Sequence, residues 1–384
     1  MINERRLQEN FLDLVRIDSE AGDEAAIATR LKAELQDIGA SVTEDDAASR
    51  LPSNSGNLIA TVQGARRDAA PIMLCAHMDT VVPGRGVKPV VDGKIVHTDG
   101  TTILGGDDKS GIAIILEVLR TAKEQGISLS DVEVVFTVME EKGLLGAKEL
   151  DAARLRSRFG LVFDATEPCV LYTRAPAANH LEFRIFGQAA HAGVAPELGI
   201  NAIKVAGEAL AQMRLGRIDE ETTANIGLIS GGAATNIVAP EVVLHGEARS
   251  RDLAKLEAQT RHMVQCLEAA AARHGVELEG KIIRARAEAV IEKAYDAMDL
   301  PDSAPIVRLV QQAGRTVGRD IPTKPMGGAC DANVFNGKGI SVANLGTGMR
   351  DIHTKQEWLD TADMADTARI VLEMLRLHAQ GSRA

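Results

Sequence analysis

The sequence predicts an α/β protein: a mixed, mostly parallel sheet sandwiched by helices and interrupted by a smaller α+β insert. Three observations carry this reading. The runs PIMLCAHMDT (71–80), VEVVFTVMEE (132–141) and GLVFD (160–164) are almost continuously apolar, as strands covered on both faces must be. Helical patterns lie between them, and that alternation is the signature of a parallel sheet. From Arg174 the character changes, because Leu181, Phe183 and Ile185 alternate with Glu182 and Arg184, as in a half-exposed strand.

The elements follow in order. Helices are expected over 3–17 and 23–38, then strands near 57–63, 71–77, 132–139 and 160–164. Ile112, Ile115, Leu116 and Leu119 fall on one helical face, in a helix opened by Asp107–Ser110. The insert reads as a strand at 181–185, a helix at 201–213, strands at 222–230 and 241–250, a helix at 253–274 and a strand at 276–288. That order, β-α-β-β-α-β, is the ferredoxin-like split unit. The α/β style returns after Pro301, with a helix at 304–316, a glycine-rich stretch over 327–348 and a last helix from 361 to 379. The expected organisation is a main domain of 1–175 and 291–384 around an insert of 176–290.

Composition narrows the function classes. Apolar residues make up 45% and charged residues 25% of the 384, the balance of a globular chain. A net charge of −11 disfavours nucleic acid and anionic membranes as partners. Aromatic residues, at 3%, are too few for base stacking. The four cysteines (Cys75, Cys169, Cys266, Cys330) form no CxxC and are expected as free thiols of a reducing compartment. The charged, helical N-terminus lacks the apolar stretch of a signal peptide, and no run approaches a membrane span, so a cytoplasmic location is expected.

Imidazole and carboxylate groups gather where the apolar runs end: His77, Asp79, Asp107, Asp108, Glu140, Glu141, Asp164 and, late in the chain, His353. Open α/β sheets place ligand sites at the carboxyl ends of their strands. These are ligands for hard and borderline cations such as zinc, so the chain reads as a two-metal hydrolase. His77-x-Asp79 puts two side chains on one face of a strand end, one to ligate and one to hold the other ring nitrogen. An isolated HxD is more often a surface pair, and acids at a helix start are favoured by its dipole alone. Gly105-Gly106, just ahead of Asp107, permit unusual backbone and favour a site. The adjacent side chains of Glu140 and Glu141 point different ways, which suits one ligand and one free base. His191 stands apart from His97, His245, His262, His274 and His378 because it lies in a small-residue loop, GQAAHAG. The glycine-rich ISGGAATN and MGGACDAN lack the spacing of a phosphate loop.

Taken together, AHMDT, GGDDKSG, MEEKGLLGA, VFDA, GQAAHAG, GGAATNIVAP, GEARSRD and MRDIHT resemble the co-catalytic zinc exopeptidases. That family includes peptidase T, carboxypeptidase G, aminoacylase and succinyl-diaminopimelate desuccinylase. HAGVAPELGINAI, GRIDEETTANIG and GGACDANVF look most like its peptidase T-like members. The resemblance implies a zinc exopeptidase-like catalytic domain with a ferredoxin-like lid that dimerises. It implies that Asp107 bridges two divalent ions per subunit, with His77 and Asp164 on one and Glu141 and His353 on the other. Zinc is expected first; the shells also accept manganese or cobalt. Glu140 would be the general base and Asp79 the clamp on His77. His191 would polarise the scissile carbonyl of the partner subunit's substrate, and Asn236 and Arg249 would bind the substrate's carboxylate or backbone. The expected activity is removal of the N-terminal residue from tripeptides. Its rivals are an N-acyl-amino-acid amidohydrolase or carboxypeptidase on the same site, and a non-catalytic binding protein of this fold.

Overall fold

The structure, a computed structural model, describes residues 1–381. It divides into two compact units: Met1–Ala175 together with Met298–Ala384, and Pro176–Ala297.

At the centre of the first unit's nine-stranded sheet lie four parallel neighbours, in the order Val132–Thr137, Ile72–His77, Phe159–Val162 and Ser341–Leu345. Leu58–Val62 and Ser41–Glu44 extend it antiparallel on one side, and Leu171–Ala175 and Met298–Asp299 on the other. Every residue of Ile72–His77 and Val132–Thr137 is buried, which is why those runs are apolar without alternation. Gly160 lets two of these strands close up, since a Cβ there would stand 2.2 Å from the Met73 carbonyl oxygen. Ile112, Ile115, Leu116 and Leu119 of the helix Gly106–Glu124 join Phe11, Leu74, Phe136, Phe163 and Met374 in one apolar core. Because the four central strands run the same way, their carboxyl ends at His77, Thr137, Val162 and Leu345 open at one edge of the sheet.

Two departures from the expected element list bear on the site. The stretch 327–348 is structured, holding the helix Asp331–Gly337 and the strand Ser341–Leu345. A separate four-stranded sheet joins Pro89–Asp92, Ile95–Thr98, Trp358–Asp360 and Met349–Arg350. Its strands are two to four residues long, too short to leave a periodic pattern. That sheet carries the segment bearing His353 back toward the loop that opens the Gly106–Glu124 helix.

The second unit is antiparallel, with spatial order Gly216–Arg217, Thr222–Gly231, Glu241–Ser250, Ala177–Phe186, Arg286–Tyr295. Numbering its four long strands along the chain, the order 2-3-1-4 is the ferredoxin-like arrangement. Leu181, Phe183 and Ile185 pack with Val205, Val242, Leu244 and Leu267, so the alternation marks the face turned to the helices Ala202–Gln212 and Leu253–Ala272. The single strand expected at 276–288 is instead a hairpin, Gly275–Leu278 with Lys281–Arg284, followed by Arg286–Tyr295. Glu279 and Gly280 turn it, at φ of 48° and 77°. The boundary expected at 290 therefore falls inside a strand, and the pairing of Arg286–Tyr295 with Ala177–Phe186 carries the unit on to Ala297. Among the described residues, no helix is long and apolar enough to cross a membrane.

Candidate metal centre

Each strand tip contributes a different kind of support. His77 ends its strand almost fully buried, at 2% exposure. Its Nδ1 lies 2.9 Å from the Asp79 backbone oxygen and its Nε2 3.0 Å from Asp107 Oδ1. The Asp79 carboxylate is farther from Nδ1, at 3.6 Å. It accepts instead the backbone N–H groups of Glu140 and Glu141, at 2.9 and 3.1 Å. Asp79 thus clamps the Glu140–Lys142 turn as much as the imidazole, a wider role than the HxD spacing suggests.

The Gly105-Gly106 turn serves Asp107. Gly105 takes φ +75°, in the left-handed region that favours glycine. Asp107 and Asp108 lie outside helical geometry, and the peptide between them is cis. The helix proper therefore starts later than the expected Asp107. Asp107 is left with one oxygen toward each histidine: Oδ1 toward His77, and Oδ2 3.1 Å from His353 Nε2. Asp108 faces inward and accepts the His77 and Gly111 backbone N–H groups. Asp164 follows its strand directly, and Asn344 holds its backbone on both sides, accepting its N–H at 2.9 Å and donating to its carbonyl.

The structure brings together His77, Asp107 and Asp164 as one set of donors and Asp107, Glu141 and His353 as another, each within 4.8 Å. Asp107 belongs to both. Glu140 stands beside them, grouped with His77 and Glu141. Asp107, Glu140, Glu141, Asp164 and His353 line a cleft of about 470 Å³ that also touches Thr166, Glu167, Tyr172 and the Gly327-Gly328 loop.

The electrostatics fit divalent cations. Burial pushes the Glu140 and Asp164 carboxyls well above their ordinary range, reinforced by neighbouring acids. Burial likewise raises Glu141. Asp107 goes the other way: burial opposes its charge, but His353 and His77 hold it below the usual carboxylate range. The Asp107 and Glu141 carboxylates push His353 up to about 10. Burial works against a proton on His77, yet Asp107 and Asp79 raise it well above the usual imidazole value. So much acid gathered away from water needs positive charge beyond two imidazoles. Glu141 Oε1 is 2.9 Å from His353 Nε2 but out of hydrogen-bond alignment, which leaves a buried carboxylate oxygen without a hydrogen-bond partner. A set of imidazoles and carboxylates without thiolate suits zinc, manganese or cobalt.

His191, Asn236 and Arg249 belong to the second unit. The loops of the first two are neighbours, since the Ala192 N–H donates to the Asn236 carbonyl at 2.9 Å. His191 is exposed, and its Nδ1 accepts the Gly193 N–H at 3.2 Å. Arg249, on the strand Glu241–Ser250, donates to Glu247 at 2.9 Å. Several supporting residues escape a reading of the sequence: Asn344, Glu24 behind Met139, and Glu357 behind Gly105. Each acts on backbone N–H groups of a distant segment, and no local spacing signals that.

Likeness to known proteins gives this fold and centre their class, that of a peptidase. The chain belongs to the peptidase family M20/M25/M40, whose model matches residues 73–377. The YqjE protein of Bacillus subtilis is 43% identical over 98% of this chain and 99% of its own. An aminopeptidase PepT from Bacillus cereus has a similar structure, with a TM-score of 0.89 and 39% identity over 98% of this chain and 99% of that one. A Staphylococcus aureus tripeptidase superposes with a TM-score of 0.92, at 39% identity over 99% of this chain and 100% of that one.

Proposed function

We propose that the protein is a two-metal aminopeptidase that releases the N-terminal residue of tripeptides. The observation that carries it is the pair of donor sets sharing Asp107, with Glu140 left over beside them. Likeness to an aminopeptidase PepT and a tripeptidase supports the substrate class. His77 and Asp164 would hold one ion and Glu141 and His353 the other, with Asp107 between. When bound, the ions supply Lewis acidity and a water acidified to near neutral pH.

The chain's own residues supply the rest. Glu140 sits beside the ligand sets in a desolvated pocket that raises its proton affinity, as suits a general base. It takes the proton of the attacking water and delivers it to the leaving amine. Asp79 fixes its backbone while that proton moves. His191 donates to the developing oxyanion, and Asn236 and Arg249 hold the peptide's far end.

We further propose a homodimer through the second unit, with His191 acting in the partner's site. The outer edge of Thr222–Gly231 pairs with Gly216–Arg217 only opposite Thr223 and Ala224, and Leu228 and Ile229 beyond it are 66% and 57% exposed. Such an open, apolar strand edge invites a second strand. Digestion of a peptide library, read by mass spectrometry, tests the activity. Release of N-terminal residues from tripeptides is expected. Release of C-terminal residues, or turnover of N-acyl-amino acids alone, would replace this reading.

A further inference from the structure

Glu357 is an acid with 1% exposure, four residues beyond His353, on a segment otherwise rich in polar surface. Its Oε2 accepts the backbone N–H groups of Leu104 and Gly105 at 2.7 and 2.8 Å, and its Oε1 accepts that of Asp107 at 3.1 Å. These N–H groups lie at the start of the Gly106–Glu124 helix, where intrahelical partners are lacking. The carboxylate is packed hard against the turn, since a Cβ on Gly106 would stand 3.0 Å from Glu357 Oε1. At its other end, the Glu357 N–H donates to the Thr354 carbonyl at 3.1 Å, closing the short turn that follows His353.

One side chain therefore fastens the loop that carries Asp107 to the loop that carries His353. Those two residues face each other at 3.1 Å. We propose that Glu357 is a positioning residue for the cation site of Asp107, Glu141 and His353: it sets the distance between two of the three ligands and so sets affinity there. The proposal rests on the two-cation reading above. A carboxylate suits the task because it accepts all three N–H groups and brings no donor of its own. A carboxamide of the same shape would point an N–H₂ at backbone N–H groups, and the loop would have to move.

The test compares zinc binding by the wild type, Glu357→Gln and Glu357→Asp, each stripped by a chelator and titrated against a chromophoric competitor. Visible absorption of the cobalt-loaded proteins reports ligand geometry, and far-UV circular dichroism reports folding. The wild type should take two zinc ions per subunit. In Glu357→Gln one of the two should bind roughly 10- to 100-fold more weakly, the scale of losing a group that orients a ligand. Its cobalt band should change as well. Glu357→Asp keeps the charge one methylene short and should recover part of the loss. If Gln prevents folding, Asp carries the same comparison. Wild-type isotherms and cobalt spectra in the folded variants overturn the proposal even if melting temperatures fall, because a purely structural role lowers stability without touching metal affinity. A wild type that takes fewer than two zinc ions overturns the two-cation reading itself.

Discussion

Glu140 and Glu141 are neighbours in sequence, held by the same Asp79 carboxylate, yet their surroundings assign them different work. Glu141 reaches toward His353, whereas burial and the nearby Asp164 keep a proton favourable on Glu140. Glu140→Gln should therefore keep both metals and lose activity by roughly 10²-fold or more, the scale of general-base removal. Glu141→Gln should lower the occupancy of one metal; elemental analysis that finds two metals in both variants would refute this division. Proton release offers a second check. Asp107 and Glu141 raise His353 to about 10, so in chelator-stripped protein it carries a proton at pH 7. A ligand must be deprotonated, so adding zinc at pH 7 should release protons, measurable in weak buffer with an indicator dye, and affinity should fall as pH falls. Zinc binding with no proton release would contradict it. The same raised pKa stabilises the stripped protein fully below the unfolded value of about 6.5; that contribution is lost as pH rises through about 10. The residues facing the cleft are legible in the sequence because imidazoles and acids ending apolar runs have few bland uses. Glu357 and Asn344 are not. A buried acid and a solvated one look alike in a polar loop, and their backbone partners lie far along the chain.

At the scale of elements, two of the proposed ligands, His77 and Asp164, stand at or just beyond the ends of strands that pack into the apolar core. Ile72–His77 and Val132–Thr137 are buried along their whole length, in a core that runs from Phe11 to Met374. A domain of this size can bury enough apolar surface to stand without metal, unlike a small zinc finger. Mild EDTA should then abolish activity while leaving the far-UV helical signal in place, and loss of most of that signal would show the core to be metal-dependent. Long elements of regular period are legible: the helices Ala25–Ile38 and Ala202–Gln212 fall close to where apolar spacing puts them. Short ones are not. Gly275–Leu278 and Lys281–Arg284 merge into one apparent strand because the Glu279-Gly280 turn is brief and both its flanks are apolar enough to continue a strand. Ser341–Leu345 escapes notice because alanine and asparagine in so short a run carry little strand propensity.

At the scale of the whole molecule, the proposed dimer makes each site depend on two chains. Glu140→Gln and His191→Ala subunits should each be inactive alone. Co-expressed at random, about half the dimers would be mixed, each with one intact site of two, so about a quarter of wild-type activity should return. Background activity from confirmed mixed dimers would place His191 in its own subunit's site. The discontinuity of the first unit has a further consequence, for the order in which the molecule assembles. The hydrogen bond from Leu104 to Glu357 spans 253 residues, and the whole second unit lies between its ends. Closing so long a loop is entropically expensive, so such contacts form late, after the local ones. His77 and Asp164 both precede the insert, whereas His353 follows it. During synthesis the first donor set is therefore complete long before the second, and the second comes into being only when the chain's last stretch returns to the sheet that its first stretch began.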